Sequence, residues 1–89
     1  MTDEYLVKLI QRSLRTNTPD SLLEVRFKNG THLRFEFVFE GPTSADDMET
    51  ASCAETEILA GLYPEFTSES RFIETSDASA DYQLAFQRS

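Results

Sequence analysis

One histidine, His32, and one cysteine, Cys53, are the chain's only imidazole and thiol. A Ser-His-Asp relay or a histidine-based metal site would have to centre on His32. A thiol nucleophile would have to be Cys53, and a single Cys builds neither an internal disulfide nor a Cys-rich zinc site. The three glycines are isolated and form no phosphate-cradling loop. The remaining chemistry is that of carboxylates, with 16 Asp and Glu against 8 Lys and Arg.

Each candidate has a simpler reading. The hairpin register that keeps the apolar residues on one face puts His32 on a polar face beside Arg26, where a single His is a surface residue. Cys53 falls on an acid-lined helix face, near the edge where part of the side chain is covered, and carboxylates nearby disfavour the nucleophilic anion. Asp46-Asp47 diverge by about 100° on a helix and do not chelate together, and no EF-hand spacing is present, so no metal is expected. Glu55 is the odd residue, because its helical position lies within an apolar arc between Met48 and Leu62. It emerges at the core's edge, or pairs with Arg12 or Arg71, or is a buried acid available for proton transfer. No second group at a suitable spacing supports catalysis, so neither an enzyme nor a cofactor is expected. Leu33–Phe39 has some of the aromatic spacing of an RNA-reading strand, but those aromatics are the ones the core needs. Val38 is left over by that alternation, for a second small cluster or a covered surface.

Positioning these residues takes six elements. Asp3 can cap a helix running to about Arg15, with Leu6, Val7, Ile10 and Leu14 on one face and Lys8, Arg12 and Arg15 on the other. Glu4 precedes Lys8 by four residues, a favourable ion-pair spacing. Thr16–Asp20, with Pro19, ends it. Residues 22–28 and 31–39 alternate as a hairpin. A two-residue Asn29-Gly30 turn would put the two apolar sets on opposite faces. A three-residue loop, Lys28-Asn29-Gly30, pairs Phe27 with Thr31, Val25 with Leu33 and Leu23 with Phe35, and needs Gly30 left-handed. Ser44 with Asp47 starts a second helix, roughly 44 to 62, ended by Gly61 and Pro64. Residues 71–75 and Tyr82–Gln87 read as strands, the latter with Tyr82, Leu84 and Phe86 inward, and the Tyr63–Ser68 region is an alternative fifth strand. The expected fold is a single small α+β domain over 1–89. Its order is α-β-β-α-β-β, a largely antiparallel four-stranded sheet with both helices packed on one face. Seven Phe and three Tyr support a folded core.

Charge is the functional clue. Residues 1–39 carry five acids and six bases, whereas residues 40–89 carry eleven acids and two bases. Phosphate would be repelled from that second half, so direct nucleic-acid binding is not expected. The opening MTDEYLVKLIQRS lacks the basic and apolar regions of a signal peptide, and no stretch approaches the roughly 20 apolar residues of a membrane span. A cytoplasmic protein without membrane partners is expected. The expected function is a small acidic binding module whose carboxylates take the place of phosphates on a basic partner, such as a nuclease or another nucleic-acid-handling protein. Immunity and anti-defence proteins work by that logic. Asp46, Asp47, Glu49 and Glu57 on the second helix are the expected partner-binding residues. The alternative is self-association, a homodimer in which the stripe Lys8, Arg12, Arg15 meets the acidic helix of another copy.

Overall fold

In the computed structural model, residues 1–88 are described. Helix α1 spans Asp3–Leu14 and buries Leu6, Leu9, Ile10 and Leu14. Thr2 rather than Asp3 is its cap: Thr2 Oγ1 accepts from the Tyr5 backbone N–H at 3.1 Å. The hydroxyl one residue earlier satisfies a free helix donor and leaves Asp3 and Glu4 in the first turn, where the helix dipole favours acids. Strands β1 (Leu22–Lys28) and β2 (His32–Phe39) follow. Helix α2 spans Ala45–Ala60, with Ser44 accepting from the Asp47 N–H as its cap. Strand β3 (Thr67–Glu74), one 3₁₀ turn (Thr75–Asp77) and strand β4 (Gln83–Gln87) complete the order.

The sheet is mixed, not largely antiparallel. Its order is β3-β2-β1-β4, with β1 antiparallel to both β2 and β4 while β2 and β3 run parallel. The cause is α2. A helix between two adjacent strands carries the chain back to the end where it started, so the next strand runs in the same direction. The expected strand at 71–75 is the second half of a longer β3 that begins at Thr67, and the alternative fifth strand at Tyr63–Ser68 does not form among the described residues, only its last two residues joining β3.

The hairpin register also differs. Phe27 faces Phe35 rather than Thr31, and Val25 faces Phe37 rather than Leu33. Gly30 is not left-handed, since Gly41 alone among the described residues has a positive φ, of 80°. The start of β2 is held instead by β3, where His32 and Leu33 lie beside Thr67 and Ser68. Parity survives the shift, so Val25, Phe27, Leu33, Phe35 and Phe37 still share one buried face. An irregularity between Leu22 and Glu24 turns Leu22, instead of Leu23, into the core. Another, opposite Val25–Arg26, breaks the expected alternation of β4, where Phe86 still packs against the core. Ala85 is buried there and Leu84 is 44% exposed.

Both helices pack on this face, and their side chains join the strand aromatics in one cluster. Each fully buried Phe or Leu contributes roughly 1.5–3 kcal/mol. Phe72 of β3 closes the side of the cluster, edge-on to Phe37 at 5.2 Å. The other face of the sheet is crossed by the β3–β4 connection, which must travel from one sheet edge to the opposite one. Strand β2, central and covered on both faces, is consequently buried at every residue from Phe35 to Phe39.

Candidate functional site

The two helices lie antiparallel in one outer layer. At one end the Tyr5 hydroxyl donates to the Gly61 carbonyl at 2.6 Å, and Leu9 sits against Gly61. At the other end the Asp47 carboxylate accepts from the Ser21 hydroxyl and, at 3.3 Å, from the Ser21 N–H. These contacts orient α2 about its axis. Ala51, Ala54 and Ile58 face the sheet, while Asp46, Glu49 and Glu57 are exposed and share an outward arc of about 80° at 100° per residue. Among the described residues, none of those three carboxylates has a cationic group within 4.0 Å. Asp47 differs, because its carboxylate is half-buried and engaged by Ser21. Cys53 is an exposed free thiol within the same arc.

On the neighbouring helix Lys8, Arg12 and Arg15 are exposed and, with Tyr5, Leu9 and Gln11, line an open groove of about 510 Å³. Lys8 pairs with Glu4 at 3.0 Å, the spacing expected from sequence. Arg12 and Arg15 have no carboxylate within 4.0 Å among the described residues. The outer layer therefore presents a basic stripe and an acidic stripe side by side.

The remaining sequence candidates are dispersed. His32 is exposed at the start of β2, but beside Thr67, Glu69 and Arg34 rather than Arg26. Its Nδ1 is 2.7 Å from Thr67 Oγ1 and its Nε2 is 3.6 Å from Glu69. The shifted hairpin register accounts for the change, because Arg26 lies opposite Glu36. Glu55 is half-buried on the flank of α2, and Arg71 is on the opposite face of the sheet. Among the described residues, no group of three His, Cys, Asp or Glu side chains is placed to hold a metal ion. No helix among them is long and apolar enough to cross a membrane.

The carboxylate buried within the molecule is Glu36, which sequence reasoning missed. It is 0% exposed on the face of β2 away from the helices. Ser79 donates to it twice, from the backbone N–H at 3.0 Å and the hydroxyl at 2.7 Å, and Arg71 Nη1 lies 3.3 Å away. Glu36 thereby clasps the β3–β4 connection to the sheet. The signal was Val38, an apolar side chain on the supposedly solvated face two residues from Glu36.

Residues 3–88 match the family model described as MafI2 immunity protein. No curated protein matches the sequence.

Proposed function

Because the chain belongs to the MafI2 immunity protein family, we propose that it neutralises a partner toxin in the cytoplasm by binding it, with no catalysis of its own, through the outer face of α2. The observation that carries this is the exposed set Asp46, Glu49 and Glu57, free of cationic partners among the described residues, in a chain of net charge −8. Such a face fits a basic toxin surface of the kind that holds nucleic-acid phosphates. Carboxylates on a rigid helix occupy it, exclude the substrate and raise the association rate by steering. Asp47 borders the face and keeps the helix end attached to the loop before β1 through Ser21. The basic stripe Lys8, Arg12, Arg15 beside it gives the docking surface two signs, which fixes the toxin's orientation.

The test uses the partner toxin, captured with the tagged chain at about 50 mM and about 500 mM salt. The triple variant Asp46→Asn/Glu49→Gln/Glu57→Gln should bind that toxin at least tenfold more weakly at low salt, mainly through a slower association rate. Its urea midpoint should stay at the parent value, because exposed, unpaired acids contribute little to stability. Unchanged toxin affinity in the triple variant would remove this face from the mechanism.

A further inference from the structure

Strand β3 is the longer of the sheet's two edge strands, eight residues against five in β4, with β2 on one side and no strand on the other among the described residues. It is neither short nor interrupted by Pro, and its charged residues, Glu69, Arg71 and Glu74, are of both signs, so they do not repel a second copy as a single-sign edge would. The flank of α2 that overhangs it exposes two large apolar side chains, Met48 at 37% and Leu59 at 43%, on either side of the half-buried Glu55. Gly61 and Asp47 turn the other flank of α2 toward α1 and the loop after it.

We propose that this edge is a homodimer interface, in which β3 of two copies pair antiparallel about a two-fold axis through Ser70 and form one eight-stranded sheet. The register follows from parity and charge. The sheet faces stay continuous only if the axis passes through a residue, since a one-residue slip swaps the faces. An axis at Glu69 or Arg71 would set two like charges against each other. At Ser70, Glu69 of each copy lies opposite Arg71 of the other, and the overlap covers nearly the whole strand.

Both side chains already lie on the face away from the helices. Glu69 is 3.2 Å from Arg34 there, and Arg71 is 3.3 Å from Glu36. Across the axis the row reads Arg34, Glu69, then Arg71 and Glu36 of the second copy, with alternating sign. Arg71 remains half exposed while it pairs with Glu36, so its guanidinium has donors left for a second carboxylate. On the opposite face the exposed Met48 and Leu59 flanks turn toward each other across the axis. The acidic arc Asp46, Glu49, Glu57 stays outward. The edge, rather than the stripe Lys8, Arg12, Arg15, is thus the self-complementary surface of this fold.

The experiment uses the full chain alone, so its result is independent of any toxin. Sedimentation equilibrium should show a monomer–dimer equilibrium with a Kd below about 1 mM. Glu69→Lys, which sets like charges opposite each other, should raise that Kd about tenfold. Arg12→Glu/Arg15→Glu should leave it unchanged. In a Cys53→Ser background, Ser70→Cys should form a disulfide-linked dimer on mild oxidation, because residues opposite at the axis approach within bridging distance. Ser68→Cys, which would lie opposite Phe72, should not. A monomer at every concentration would overturn the proposal. So would equal cross-linking at Ser68, or a dimer broken by the α1 variant and indifferent to Glu69→Lys.

Discussion

Glu36 allows the reasoning about the far sheet face to be tested with numbers. Its carboxylate is fully buried and receives two bonds from Ser79, at 3.0 and 2.7 Å, and one from Arg71, at 3.3 Å. Hydrogen bonds to a charged group are each worth about 1.5–3 kcal/mol net. Glu36→Gln keeps the size and one acceptor oxygen, which can still take the Ser79 N–H. Its amide N–H₂ faces the Arg71 guanidinium, so that bond and the charge assistance are lost. The loss should be about 2 kcal/mol, close to the value of one such bond. Against a total of roughly 4–13 kcal/mol for a domain of this length, that is a large fraction. Urea unfolding followed by circular dichroism is the assay. With a slope of about 1 kcal/mol per molar, the midpoint should fall by about 2 M at constant slope. Ser79→Ala alone should cost about 1–2 kcal/mol, as a lost hydrogen bond to a buried acceptor. The double variant should cost less than the two singles together, by at least about 0.5 kcal/mol. The amide nitrogen introduced by Glu36→Gln replaces the oxygen that accepts from the Ser79 hydroxyl, so that variant already removes the charge assistance of the bond that Ser79→Ala deletes. Amide exchange at residues 77–82 should accelerate in both singles, since the clasp is what holds that connection down. A Glu36→Gln midpoint within about 0.3 M of the parent, or strict additivity with Ser79→Ala, would refute the clasp.

Two further perturbations follow from the helix layer and the α1 terminus. A Cβ at Gly61 would lie 2.5 Å from Leu9 Cδ1, and Leu9 is itself buried, so Gly61→Ala should destabilise by about 1–3 kcal/mol through overpacking; thermal unfolding unchanged from the parent would show that Leu9 repacks freely. The Asp3 carboxyl is held below its ordinary 3.8 by the Asn29 amide and then the Gln83 amide, which donate to it at 2.8 and 2.9 Å. A depressed carboxyl stabilises the fold above its unfolded value, and that contribution disappears as pH falls through the folded value. Asp3→Asn should therefore be less stable than the parent near neutrality and converge with it below the ordinary carboxylate range. A gap that persists in urea titrations down to about pH 2 would count against the Asp3 bonds as its source.

Much of the architecture is local and was legible. The 3.6-residue spacing of Leu6, Ile10 and Leu14 makes α1. Ser44 with Asp47 three residues on starts α2. Alternating Phe27, Phe35 and Phe37 make one buried sheet face in the observed register as in the expected one, because the two registers differ by an even number of residues and parity sets the face. The acidic arc Asp46, Glu49, Glu57 was legible for the same reason: helical periodicity places residues around an axis, and an amphipathic helix turns its charged side outward.

What the chain's own residues determined, then, is what depends on near neighbours: the two helices, the Ser44 cap of α2, the shared buried face of Val25, Phe27, Leu33, Phe35 and Phe37, and the uneven distribution of charge. Strand direction, hairpin register and the fate of individual carboxylates were settled only by tertiary structure. Strand β3 is parallel because α2 returns the chain to its starting end, and the hairpin register moves because β3 also holds the start of β2. Glu55, odd on a helical wheel, ends half-buried on a flank, whereas Glu36, unremarkable in an alternating strand, is fully enclosed. The physical reason is common to these cases. Local periodicity specifies which way a side chain points, but what covers it there is a segment tens of residues away in sequence, here Arg71 and Ser79, brought into place only when the chain closes over the second face of the sheet.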